Sequence, residues 1–266
     1  MTRAEIEARH LELEREGRFN DEPFGEDWTM SLPVTKRYPY IRRNPIRKLD
    51  IAWKRALIIN PFIKKNTKAL GVEVKGKEHL AGLKSAIVTT NHVHILDCIA
   101  VKHALLPKRT KYVVAEFNVM KGTLGRMMQA EGILPLSKDR QVMRKFDEAV
   151  GYYLNKGQFV AICPEQAMWE MYDKPRPFKI GAFHYAVKYD VPVLPIFITF
   201  RPSGTYDAEG NEIKHFTVNI MPPLYANKEL NPKEQAKDLM KRNYQACVDK
   251  YEEVYGKKLV YETKEN

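Results

Sequence analysis

No stretch of this 266-residue chain approaches the roughly 20 apolar residues that a membrane span requires, so no transmembrane helix is expected. Cysteine is scarce: Cys98, Cys163 and Cys247 are widely spaced, form no C-x-x-C pair and leave an odd one over. That argues against a disulfide framework and a zinc site, and for a reducing compartment. No ligand spacing suggests another metal or a redox cofactor, so none is expected. The start, Met1 to Glu7, is charged and lacks an apolar core, so no secretory signal is expected. Internal repeats, low-complexity tracts and interdomain linkers are also missing. Acidic charge is in deficit, 33 Asp plus Glu against 44 Lys plus Arg, for a formal charge of +11. Such a balance implies an anionic partner: nucleic acid, a phosphorylated small molecule or an acidic membrane surface. No recognised nucleic-acid motif supports the first of these.

What is present suits a globular protein, with 44% hydrophobic and 29% charged residues. Residues 1–69 read as an N-terminal arm and 70–266 as an α/β domain. Within the arm, Ile46 to Ile63 sets Leu49, Trp53, Ala56, Leu57 and Phe62 among Arg47, Lys48, Lys54, Arg55, Lys64 and Lys65. This pattern fits an interfacial helix on a membrane, and equally an amphipathic helix packed on the protein's own core. Phe24 to Pro45 has no clear period and reads as irregular. From Leu70 onward strands and helices alternate: strands at 72–74, 85–90, 111–116, 133–136, 159–163 and 191–198, helices at 97–106, 120–130, 140–155 and 180–189. A hairpin is expected over 199–218 and a final helix from Asn231-Pro232 to about Tyr255. Together these predict a mostly parallel central sheet flanked by helices, with an N-terminal amphipathic arm and a C-terminal helix.

The chemistry concentrates where strands end. Asn91-His92-Val93-His94-Ile95-Leu96-Asp97 puts an imidazole and a carboxylate five positions apart at a strand-to-helix turn. On one helix, residues so spaced lie about 140° apart, so His92 and Asp97 meet only if His92 precedes the helix. A ring held through Nδ1–H by Asp97 keeps Nε2 free to take a proton from an alcohol or thiol. The same pattern also fits a structural histidine. Cys163-Pro164-Glu165 ends an apolar strand and exposes Glu165 at a carboxyl edge, where ligands of open α/β sheets collect, or leaves it a solvated loop carboxylate. Lys138 and Arg140 follow another short strand, placed either to hold a phosphate or as a basic helix start partnered by Asp139. Lys179 precedes Gly181 where a helix begins, a place suited to an anion. His94 is a secondary base, and Cys163 and Cys98 are rival nucleophiles that also fit buried apolar roles.

In their order along the chain these segments resemble the glycerolipid acyltransferase family, which includes the lysophosphatidic acid acyltransferases. Asn91, His92 and Asp97 match its first block, Asn-His, four residues, Asp; Gly132 through Lys138 or Arg140 matches loosely its Gly-x5-Arg block; Cys163-Pro164-Glu165 matches part of its Phe-Pro-Glu-Gly-Thr-Arg-Ser; Val191-Pro192-Val193-Leu194-Pro195 matches its Val-Pro-Val-x-Pro. Phe178 to Phe183 looks like its Lys-x-Gly-Ala segment, and Val74 to Leu80 like its lead-in to the first block. The resemblance runs from about Gly71 to Phe200. It implies transfer of an acyl group from acyl-CoA or acyl carrier protein to a lysophospholipid hydroxyl. His92 and Asp97 would be catalytic, and Glu165, Gly132, Lys138, Arg140 and Lys179 would bind substrate. The expected setting is peripheral, on an anionic membrane surface at its cytoplasmic face, with no nucleic acid; the alternative is a basic peripheral membrane or nucleic-acid-binding protein without catalysis. Gln166, Ala167 and Met168 stand where the family has Gly-Thr-Arg, and Trp169 where a small residue is usual. That removes one phosphate ligand, for which Lys174, Arg176 and Lys179 are the candidate replacements.

Overall fold

The computed structural model describes residues 2–263, apart from the side chain of Arg47. In chain order its elements are helix α1 (Arg3–Arg15), α2 (Pro45–Lys54), a π-type turn (Arg55–Ile59), α3 (Asn60–Ala69), strand β1 (Glu73–Lys75), β2 (Ala86–Thr90), α4 (Asp97–Ala104), β3 (Thr110–Val114), α5 (Gly122–Glu131), β4 (Ile133–Pro135), α6 (Arg140–Asn155), β5 (Phe159–Ile162), α7 (Gly181–Lys188), β6 (Val193–Tyr206), β7 (Glu212–Ile220) and α8 (Pro232–Tyr255). The strands form one sheet in the order β1-β7-β6-β2-β5-β3-β4. Every pairing is parallel except β6 with β7. This is the mostly parallel α/β sheet that the alternating pattern predicts.

Sequence features account for the element limits. Asp139 caps α6 by accepting the Gln141 and Val142 N–H groups, and Gly157 at φ +67° turns the chain out beyond its last turn. Between those ends Val142, Phe146, Ala149, Val150, Tyr153 and Leu154 form the buried stripe. Asn231 and Pro232 start α8 and Gly256 ends it in the same way. The strand expected at 191–198 and the first arm of the hairpin prove to be one element, β6. Its first eight residues are buried, and from Arg201 it runs out into the exposed hairpin.

β2 lies between β5 and β6 with all five residues buried. Alternation then divides the core: Ile87 and Val160 face the side covered by α6, α7 and α8, while Val88 and Ala161 face the side covered by α4. The arm is packed into this body. Val34 and Tyr40 join the first cluster, and Leu13 and Phe19 pack with Ala167 and Trp169. Helices α2 and α3 run together through the π-type turn, in which Asn60 N–H reaches back to Arg55 O. Pro61 has no N–H to give Leu57 O, and the widened turn accommodates that missing bond. The composite helix packs on the protein's own core and carries a second apolar face that is exposed. Ile59 and Ile63 are buried against the body, whereas Ile46, Leu49, Trp53, Leu57 and Ile58 are exposed.

Candidate active site

At the carboxyl end of β2, buried Asn91 pins the chain to β6: its Oδ1 accepts Ile198 N–H at 2.8 Å and its Nδ2 donates to Ile198 O at 2.9 Å. His92 therefore sits on the loop before α4, the arrangement that its spacing from Asp97 demands. Its Nδ1 lies 2.7 Å from Oδ2 of Asp97, the first residue of α4. The His92 side chain is 25% exposed and Asp97 only 3%. Oδ2 also accepts Val93 N–H at 3.2 Å, so the carboxylate is fixed before it orients the ring. Burial pulls the His92 pKa down, but the charge and hydrogen bond of Asp97 outweigh it and leave the pKa raised.

Glu165 is 1% exposed rather than solvated. One oxygen accepts His92 N–H at 3.2 Å and Arg176 Nη2 at 2.8 Å, and the other accepts Arg176 N–H at 2.9 Å. Arg176 is itself fully buried, donating to the carbonyls of Ala167 at 2.6 Å, Phe19 at 2.8 Å and His92 at 3.3 Å. It thus cannot replace the missing phosphate ligand, because both its terminal nitrogens are committed inside the loop and its Nε, which has no partner, is buried as well. Lys174 is engaged as well, with Glu14 Oε1 at 2.7 Å. Two further backbone bonds, Trp169 N–H to His92 O and Met171 N–H to Val93 O, complete a cradle around the histidine. Trp169 fills the space between α1 and this cradle, stacked on His10 at 5.1 Å and under the Arg176 guanidinium at 4.8 Å.

The other expected ligands are spread more widely. Lys179 lies on the same rim, its N–H donating to Pro164 O at 2.8 Å with the side chain exposed. Lys138 and Arg140 are exposed beyond the carboxyl end of β4, three strands from β2 and thus roughly 14 Å along the rim. Asp139 already occupies the helix start between them. Gly132 lies at the opposite rim, before β4, as the left-handed cap of α5 at φ +87° beside the Lys111 ammonium.

His94 faces elsewhere: its Nδ1 accepts Leu96 N–H at 3.1 Å, its ring packs edge-on to Phe216, and burial lowers its pKa. It lines a cavity of about 880 Å³ between α1, residues 170–174 and the β6–β7 tip, whose walls include neither His92 nor Asp97. Burial pushes the Cys98 thiol up to about 12 and Cys163 well above its ordinary value, the wrong direction for a nucleophile. Among the described residues no three His, Cys, Asp or Glu side chains converge as metal ligands would.

Sequence reasoning missed the role of Arg176 as the partner of Glu165, and the support given by Phe19 and Asn20. The Asn20 amide donates to Glu165 O and Pro177 O at 2.9 Å each, across 145 and 157 positions of chain. No local spacing signals such contacts.

Against known proteins, the Acyltransferase family profile matches residues 71–199. The mouse 1-acyl-sn-glycerol-3-phosphate acyltransferase alpha is 27% identical over 161 residues, 58% of this chain and 54% of that protein. The human beta form is 27% identical over 132 residues, 48% and 46% of the two chains. The chain spans about half the length of the curated relatives it matches. The crystal structure of the 1-acyl-sn-glycerophosphate (LPA) acyltransferase of Thermotoga maritima shares the fold, with a TM-score of 0.53 and 17% identity over 81% of this chain and 96% of that one. The stretch that builds the His92–Asp97 rim, residues 71–199, is thus the part of the chain that matches the Acyltransferase family profile.

Proposed function

We propose that this protein transfers a fatty acyl group from a thioester, acyl-CoA or acyl carrier protein, to a hydroxyl of a lysophospholipid such as lysophosphatidic acid. The observation that carries the reading is the 2.7 Å contact between His92 Nδ1 and buried Asp97, with the ring partly open to solvent at the sheet's carboxyl rim. Asp97 holds the Nδ1–H tautomer, so Nε2 takes the acceptor's hydroxyl proton as the oxygen attacks the thioester carbonyl. Collapse of the tetrahedral adduct breaks the C–S bond, and the imidazolium returns its proton to the departing thiolate. No acyl-enzyme is required, in keeping with the raised thiol pKa values of Cys98 and Cys163. Glu165 and Arg176 act on this chemistry through the His92 backbone, and Lys179, exposed on the same rim, is the residue we assign to receive an anionic group.

The exposed stripe Ile46, Leu49, Trp53, Leu57 and Ile58, with Lys48, Lys54, Lys64 and Lys65 on the same composite helix, supports docking on an anionic membrane surface where such acceptors reside. Among the described residues no helix is long and apolar enough to cross a membrane. The test is thiol release from acyl-CoA over a panel of lysophospholipids with vesicles present. His92→Ala lowers turnover by about 10²–10⁴-fold in this scheme. Turnover retained by a folded His92→Ala protein removes it.

A further inference from the structure

Between α1 and α2 the arm follows the carboxyl rim of the sheet. It meets in turn the loop after β5, through the Asn20 amide on Glu165 O; the loop after β3, through Leu32 N–H on Val119 O at 2.6 Å and Val34 N–H on Glu116 Oε1 at 3.1 Å; and the last residue of β4, through the Tyr40 hydroxyl on Pro135 O at 2.6 Å. The loop after β5 is the one that carries Glu165, and residues 19–21 hold it by their own hydrogen bonds. Phe19 O accepts Arg176 Nη1 at 2.8 Å, the Asn20 amide donates to Glu165 O and Pro177 O at 2.9 Å each, and Asp21 O accepts Trp169 Nε1 at 2.9 Å. Phe19 and Asp21 contribute main-chain carbonyls, which any residue supplies. Of the three, only Asn20 acts here through its side chain, whose amide carries two N–H donors, so these contacts depend on its identity.

One amide thereby joins the residue that bears the carboxylate to the residue that follows Arg176. Those two partners set the His92 main chain, since Glu165 Oε2 accepts both Arg176 Nη2 at 2.8 Å and His92 N–H at 3.2 Å. The Glu165 carbonyl leads into Gln166 at φ +69°, a left-handed turn that a residue with a β-carbon adopts at a cost. Besides the Asn20 amide it accepts Ala167 N–H at 3.0 Å. Lys179 N–H on Pro164 O at 2.8 Å closes the same loop further out, by a bond that involves neither Glu165 nor Arg176. We propose, resting on the acyl-transfer reading above, that Asn20 is a positioning residue for His92: its two N–H groups hold Glu165 and Arg176 in the register in which the carboxylate meets the His92 main chain. The family profile begins at residue 71, so this support reaches the site from outside the matched stretch.

Asn20→Ala removes both donors, and Asn20→Asp keeps the size but sets a carboxylate against two carbonyls. Thiol release from acyl-CoA is followed over the lysophospholipid panel in phosphatidylcholine vesicles. In either variant kcat is expected to fall by roughly ten- to a hundredfold, with KM for acyl-CoA within about twofold of the wild type, because a misplaced base slows the chemistry and leaves donor binding alone. A kcat within about twofold of the wild type in folded Asn20→Ala overturns the assignment and leaves acyl transfer intact. Amide hydrogen exchange reads the same displacement without turnover. In protein labelled with ¹⁵N-histidine, with His92→Gln for assignment, Asn20→Ala is expected to speed exchange of the His92 N–H by about tenfold or more. His79 and His184, whose N–H groups bond Gly76 O and Ile180 O elsewhere in the chain, are expected to keep their rates. A general loss of structure speeds all three alike; that result, or a His92 amide exchanging as in the wild type, overturns the proposal. No thiol release by the wild type with any acceptor removes the acyl-transfer reading and the assignment with it.

Discussion

Arg176 Nη2 lies 2.8 Å from Glu165 Oε2, and neither side chain reaches solvent. The same carboxylate oxygen holds the His92 N–H, so this buried pair fixes the backbone on which the imidazole is mounted. Removing one partner strands the other charge in the interior. Arg176→Leu is expected to cost about 3–5 kcal/mol in denaturant unfolding. The double variant Glu165→Gln/Arg176→Leu is expected to lose less than the sum of the single losses, because the stranded charge is gone. A loss under about 1 kcal/mol in Arg176→Leu, or simple additivity in the pair, contradicts the role given to this contact.

Asp97 predicts a pH dependence with a definite sign. Burial favours the neutral His92 ring, yet Asp97 outweighs it, so the folded pKa stands above the ordinary value of about 6.5. A general base works when neutral, so kcat/KM climbs with pH and levels above that raised pKa. Asp97→Asn removes the charge that raises it and leaves burial and Arg176, which lower it. The acid limb of the pH profile then moves down even as the maximal rate falls. In stability the sign runs the other way: the contribution of protonated His92 is complete below about pH 6.5 and is lost as pH rises through the folded pKa. An Asp97→Asn midpoint at or above that of the wild type refutes the assignment.

Trp53 and Leu57 test the membrane face. They stand four residues apart, 47% and 70% exposed, while Ile59 and Ile63 bind the same helix to the body. Replacing the outer pair by Ala takes nothing from the core, so stability is expected to change by no more than about 0.5 kcal/mol. Binding to anionic vesicles is expected to fall about tenfold or more, since each apolar side chain buried in the interface contributes on the order of 1 kcal/mol. Cosedimentation across a salt series checks this, and an undiminished bound fraction in Trp53→Ala/Leu57→Ala rules the face out.

Much of this arrangement was legible in the chain. The 16-residue stripe of α6 and the Asn231-Pro232 start of α8 are local patterns, and their limits agree with the structure at both ends. His92 and Asp97 were legible because strand, turn and helix start are contiguous, so spacing alone constrains their geometry. Asn20 was not, because its contacts cross 145 and 157 positions and depend on where the arm folds back, and Arg176 was not, because its pairing with Glu165, only 11 positions away, joins two points of an irregular loop that no period relates. The place of Gly132 was not legible for a related reason: a glycine matched to a block shows that the chain turns there, and only strand direction shows at which rim. Glu165 looked exposed at a strand end, yet Arg176, 11 positions on in the same loop, draws it inside.

Gln166 carries a last consequence of that folding. It follows Glu165 at φ +69°, in the left-handed region, although it has a β-carbon. In the family that the segment resembles, a glycine follows Pro-Glu, the residue that such a backbone conformation favours. A non-glycine residue pays roughly 1–2 kcal/mol there, and glycine loses about 0.5–1 kcal/mol of that advantage through the greater freedom of the unfolded chain. Gln166→Gly is therefore expected to stabilise by up to about 1 kcal/mol, raising Tm by about 2–4 °C for a chain of this size. Gln166→Ala retains the β-carbon and should change little, whereas Gln166→Val, branched at that carbon, should lower Tm. This order, Gly above Gln and Ala, and Val below both, is specific to a left-handed turn. A loss of stability in Gln166→Gly would mean that the loop holding Glu165 against His92 does not make that turn.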